Sequence, residues 1–134
     1  MTDIPASAHA LALWVGVHLI LMLVLAVLVT RQRRKHDVSI GDGGVAALEQ
    51  AVRAFGNAAE YVPAGLVALA ALAFAGAPPL VIHPLGLILF VGRVLHAFGL
   101  SHSGGSSWTR TTGVLATWIA YVAAAAALLF FAVP

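Results

Sequence analysis

The sequence predicts an all-α protein, an integral membrane four-helix bundle. Composition is the first observation behind this. Hydrophobic residues make up 61% of the 134-residue chain and charged residues only 9%, where a soluble protein carries roughly 25% charged residues. A mean hydropathy of +0.99 excludes an ordinary soluble domain. The second is the pattern of four apolar segments, each approaching or exceeding the ~20 residues that cross a ~30 Å hydrocarbon core. The length suits a single domain over residues 1–134.

The first span covers about residues 8–30 and ends at the basic run R-Q-R-R-K, residues 31–35. Its start does not resemble a cleaved signal peptide. The first charge is Asp3, no basic region precedes the apolar stretch, and that stretch is long enough to span. The run G-D-G-G at 41–44 makes a turn. The second span covers about 45–74, longer than a crossing needs, so its first turns extend into the interface. Pro78 and Pro79 separate it from the third span, about 80–100. A Gly/Ser/His linker at 101–107 leads to the fourth span, about 109–133. The alanine run at 123–127 suits closely packed membrane helices.

Basic residues near span ends set orientation. Arg31, Arg33, Arg34 and Lys35 lie in the first loop and Arg110 ends the third, while the second loop and both termini have no Lys or Arg. Both basic loops are expected in the cytoplasm and both termini outside it, in the periplasm of a bacterial inner membrane. A formal charge of +2 gives no reason to expect nucleic acid. With no cysteine in the chain, disulfides and thiolate metal sites are excluded. Thiol chemistry would need a thiol supplied by a ligand.

Within the second span, R-A-F-G-N-A-A-E-Y-V-P at 53–63 places Arg53, Asn57, Glu60 and Tyr61 at offsets of 4, 3 and 1. Positions i, i+4, i+7 and i+8 share one helix face. Charges in an apolar span cost several kcal/mol unless they are paired or lie in a wet cavity. The stripe reads either as a lock between helices or as a binding site. The binding reading fits a small zwitterionic peptide. Arg53 would clamp a carboxylate with two hydrogen bonds. Glu60 would accept from an ammonium group, and Asn57 can both donate and accept.

Pro63 removes one helical hydrogen bond and frees the carbonyl of Ala59. It either kinks the helix and widens a pocket or is simply tolerated. Arg93 lies roughly two turns inside the end of span three and needs a partner. Glu60 at similar depth is the expected one, forming a structural ion pair. His96 follows one turn later and reads as a packing residue or a ligand contact. Haem ligation by His18 and His96 is disfavoured by their different depths, and no metal-binding motif is present. The run at 31–35 reads as a topology signal or as a source of one or two pocket arginines. Arg110 stands apart from that cluster.

The motif R-A-x-x-N-x-x-E-Y-x-P resembles the signature of the MAPEG family, the membrane-associated proteins in eicosanoid and glutathione metabolism. V-S-I-G-D-G-G at 38–44 and G-R-V-L-H-A-F-G at 92–99 resemble bacterial, microsomal glutathione transferase-like members. The resemblance covers essentially the whole chain. It implies a homotrimer with glutathione bound between subunits on the cytoplasmic side. Arg53, Asn57, Glu60 and Tyr61 match glutathione-binding positions, with Arg33 and His96 as further contacts. Arg110 matches an arginine that stabilises the glutathione thiolate, the catalytic role.

Phe55 occupies a position that is polar in several eicosanoid enzymes, and His96 and Leu100 stand where some have tyrosines. The pattern favours a general transferase or peroxidase acting on apolar electrophiles or lipid hydroperoxides drawn from the bilayer. The alternative is a non-catalytic glutathione-binding scaffold. A small four-span transporter is disfavoured because residues 8–30 contain no acidic residue.

Overall fold

Each apolar segment forms one long α-helix. The computed structural model describes residues 4–102, 105 and 107–133. In it, α1 spans Ala6–His36, α2 Ala46–Phe74, α3 Pro79–His102 and α4 Trp108–Ala132. All four are long and apolar enough to cross a membrane, and no strand occurs among the described residues. Asp3 and the linker residues Ser103, Gly104 and Ser106 lie outside them.

The helices overrun two of the sequence-based limits. The basic run ends the apolar span but not the helix, since α1 continues to His36. Its last turn holds Arg33, Arg34, Lys35 and His36, and cations are favoured at the carboxyl end of the helix dipole. Asp37 caps it in the left-handed conformation at φ 53° and donates its amide hydrogen to the Arg33 carbonyl. At the other end of the chain's third span, α3 runs on to His102.

The turn after α2 depends on Gly76 at φ 82°. The Gly76 amide donates to the Ala73 carbonyl at 3.2 Å and the Ala77 amide to the Leu72 carbonyl at 3.0 Å. This paired arrangement satisfies carbonyls that a helix end leaves open. α2 itself runs unbroken through Pro63.

α2 and α3 form the centre of the bundle, each packed on all three other helices, while the backbones of α1 and α4 do not come close to each other among the described residues. One apolar cluster joins Trp14, Leu69, Leu72, Ile82, Leu85 and Ala124. A second joins Leu25, Ala54, Ala58, Val62, Ala97 and Leu100. The first mixes the start of α1 and α3 with the end of α2 and α4, so the helices alternate in direction. Outward-facing Leu19, Ile20, Val67, Ile119 and Val122 are exposed, as a lipid-facing surface requires.

The α3–α4 contact is tight because both helices carry glycine there. A Cβ on Gly113 would fall 2.6 Å from the Gly92 carbonyl oxygen and 2.5 Å from the His96 amide nitrogen. Small residues allow membrane helices to approach this closely. That approach brings the Gly113 backbone within reach of Arg93.

Candidate functional site

On α2 the buried residues are Leu48, Ala51, Ala54, Ala58, Val62, Gly65, Leu69 and Leu72. Their three- and four-residue spacing draws one apolar stripe along the helix. The polar positions fall beside it. Arg53 and Glu60 are exposed and Asn57 is half-buried. With Val52 and Gly56 they line an open groove of about 150 Å³. At Gly56 the groove is open, since a Cβ there would meet nothing within 4 Å. A cation, an amide and an anion thus follow one another along a single recess.

Behind the groove lies Arg93, only 1% exposed. Its Nη1 donates to Asn57 Oδ1 at 2.7 Å, its Nε to Thr117 Oγ1 at 2.8 Å and its Nη2 to the Gly113 carbonyl at 3.4 Å. The Tyr61 ring lies under the guanidinium, 4.8 Å from its centre. Thr117 passes its own hydroxyl hydrogen to the Gly113 carbonyl at 2.9 Å. The Tyr121 hydroxyl donates to the Tyr61 main-chain oxygen, tying α4 to α2 at this level.

These contacts correct one expectation. Arg93 does not pair with Glu60. The partners of Arg93 are neutral oxygens and an aromatic face, which can solvate a guanidinium without a carboxylate. Glu60 points to the groove instead, one turn from the amide that Arg93 holds.

The remaining expected site residues lie elsewhere in the protomer. His96 is buried and its Nδ1 donates to the Arg110 carbonyl at 3.0 Å. The Arg110 side chain is half-buried and donates through Nη1 to the Gly105 carbonyl at 2.8 Å. Arg33 directs Nη1 at the carbonyls of Ser39 and Gly41, 3.2 and 2.9 Å away, so it organises the α1–α2 loop. None of these three lines the α2 groove.

His18 is fully buried in α1. Its Nδ1 donates to the Trp14 carbonyl at 2.6 Å, and its ring edge meets Phe90. Its Nε2 is buried without a hydrogen-bond partner among the described residues. Trp14 in turn donates to His83 Nδ1 at 3.2 Å. His18 therefore belongs to a packing cluster away from His96.

Sequence reasoning missed three residues that complete the Arg93 network: Gly113, Thr117 and Tyr121. A signal was available. They are spaced by four residues on span four, so they share one face of an otherwise apolar helix.

The MAPEG family model matches residues 11–130 of this chain. The chain is 35% identical over 109 residues to "Inner membrane protein YecN" of Escherichia coli strain K12, covering 81% of this chain and 82% of that protein. The protein of the same name from Escherichia coli O6:H1 matches to the same extent. No solved structure matches the chain significantly. The four apolar helices and these relatives identify an integral, multi-pass membrane protein.

Proposed function

The chain belongs to the MAPEG family, and from that premise we propose a membrane-bound glutathione-dependent transferase or peroxidase acting on apolar electrophiles or lipid hydroperoxides. The family points to glutathione-related transferase or peroxidase chemistry in general. The observation that carries the reading to this chain is the α2 groove, where Arg53, Asn57 and Glu60 lie side by side. That set complements a peptide bearing carboxylates and an amine.

Glutathione fills the groove between two protomers of a homotrimer. Two features support a shared site. Arg53 and Glu60 are exposed on a helix that crosses the membrane, and lipid is a poor neighbour for both. Arg33, His96 and Arg110 lie off the groove of their own protomer, so their proposed contacts with the ligand call for an adjacent one.

Arg110 holds the bound thiol as thiolate by Coulomb attraction in a partly dry site. His96 fixes the first turn of α4 through the Arg110 carbonyl. The thiolate attacks an electrophilic carbon, forming a thioether as the leaving group departs. With a hydroperoxide it attacks the terminal oxygen, giving the alcohol and a sulfenic acid. A second glutathione then yields the disulfide and water. The apolar substrate enters from the bilayer. The basic loops support a cytoplasmic side of a bacterial inner membrane for this chemistry.

One observation favours a second reading, a scaffold that binds glutathione without activating it. Arg110 turns toward Gly105, not the α2 groove. Thiolate formation separates the two. Ultraviolet absorbance of detergent-purified protein is expected to rise at thiolate wavelengths on adding glutathione, followed by turnover in conjugation or hydroperoxide assays. Binding with no thiolate band supports the scaffold.

A further inference from the structure

Asn57 is the one groove residue whose chemical identity toward a ligand is not fixed by its type. An amide offers two hydrogens on one side and an oxygen on the other. In this bundle the choice is made from behind. Arg93 Nη1 lies 2.7 Å from Asn57 Oδ1, and a guanidinium has only donors. The carbonyl oxygen must therefore face inward. Rotating the amide would set two donors against each other beside a buried charge, at 1% exposure of Arg93.

Arg93 cannot readily turn away either. Its Nε and Nη2 are held by Thr117 and Gly113, and its flat face rests on Tyr61. The amino group of Asn57 has no hydrogen-bond partner among the described residues, and it is not a buried unpaired atom. It is left at the groove that Asn57 lines.

We propose that Arg93 is a positioning residue that locks Asn57 amide-hydrogens-outward, making this position a donor only. Asn57 then recognises an oxygen of the ligand, a carboxylate or a peptide carbonyl, and never its ammonium. Of the three polar groove residues, two call for ligand oxygens and Glu60 alone is left for the amine. The proposal deepens the glutathione reading and rests on it for the ligand's identity, but not for the orientation of the amide.

The test is calorimetric titration of glutathione into the full chain in detergent, with melting temperatures recorded for the same proteins. Asn57→Asp keeps the shape, gives Arg93 a carboxylate and replaces the outward donor by an acceptor. It is expected to bind at least about tenfold more weakly while melting at or above the wild-type temperature. Arg93→Met is expected to show a similar loss, and Arg93→Lys, which still donates to Asn57, to remain within about threefold of wild type. In an Asn57→Ala background, Arg93→Met adds less than about a twofold change.

The proposal is overturned if Asn57→Asp binds as wild type does. It is also overturned if Arg93→Met weakens the Asn57→Ala protein by the same factor as wild type, since Arg93 then acts independently of Asn57. Should wild type bind no glutathione, the ligand reading fails, and the melting temperatures judge the amide. Losses smaller in combination than their sum, with a stable Asn57→Asp, uphold the lock. Additive losses overturn it.

Discussion

His96 donates from Nδ1 to the main-chain oxygen of Arg110 at 3.0 Å. A carbonyl can only accept, so this contact fixes the proton on Nδ1 of the neutral ring. It also pins the first turn of α4, where the Ser107 side chain accepts from the Arg110 amide at 3.4 Å. The backbone of Arg110 is thus anchored twice, and its side chain donates from Nη1 to the Gly105 carbonyl at 2.8 Å.

The proposed thiolate-stabilising role of Arg110 is open to direct test. Arg110→Ala is expected to raise the thiol pKa of bound glutathione while leaving affinity largely intact, because other residues hold the peptide. Arg110→Lys is expected to keep part of the thiolate, retaining charge but losing the planar fork. A pH titration of thiolate absorbance checks all three proteins. Coincident curves would leave Arg110 as a topology residue only.

Binding should depend on both ends of the groove. Arg53→Ala and Glu60→Gln are each expected to weaken glutathione by at least about tenfold, near 1.4 kcal/mol. Neither side chain packs in the apolar clusters, so folding should be unaffected. Unchanged affinity in both variants would remove the groove as the binding site.

Thr117→Val tests the solvation of Arg93. The two side chains match in shape, but valine leaves the Arg93 Nε hydrogen without its 2.8 Å acceptor. Losing a buried hydrogen bond to a charged group should destabilise by about 1.5–3 kcal/mol. Thr117→Ser retains the oxygen and should lose less. Reversible unfolding in mixed micelles measures both, and equal stability of Thr117→Val would show that the contact is dispensable.

The site proposed between subunits requires the homotrimer proposed with it. Native mass spectrometry and cross-linking in mild detergent should give three protomers. A monomer with full glutathione affinity would rule out a site built between subunits.

Orientation can be read with reporters. A carboxyl-terminal fusion should be active with a periplasmic enzyme and inactive with a cytoplasmic one. The reverse result would put the basic loops, and the proposed chemistry, on the side away from cytosolic glutathione.

Helix number and approximate limits were legible because apolar length is a local property. The helices run past the apolar spans where another local force acts. α1 passes through the basic run to His36 because a helix dipole favours cations there. Among site residues, the Arg53, Asn57 and Glu60 set was legible from helical spacing, and the structure brings these three to one groove. Arg93 was legible as a buried charge in need of partners, but its partners were not.

The sequence alone determined an all-helical chain of four membrane-length segments, the face shared by Arg53, Asn57 and Glu60, and the family to which the chain belongs. Composition and periodicity suffice for these because each is decided within one helix. Only the tertiary structure decided which neutral groups surround Arg93. Glycines on α3 and α4 bring the Gly113 carbonyl and Thr117 to its guanidinium, and α2 supplies Asn57 and Tyr61. Glu60 was the obvious partner by charge and depth. The packed helices instead leave it on the groove side and satisfy Arg93 with oxygens from two other helix faces, because a buried guanidinium needs directed acceptors at fixed positions, and only the assembled bundle sets those positions.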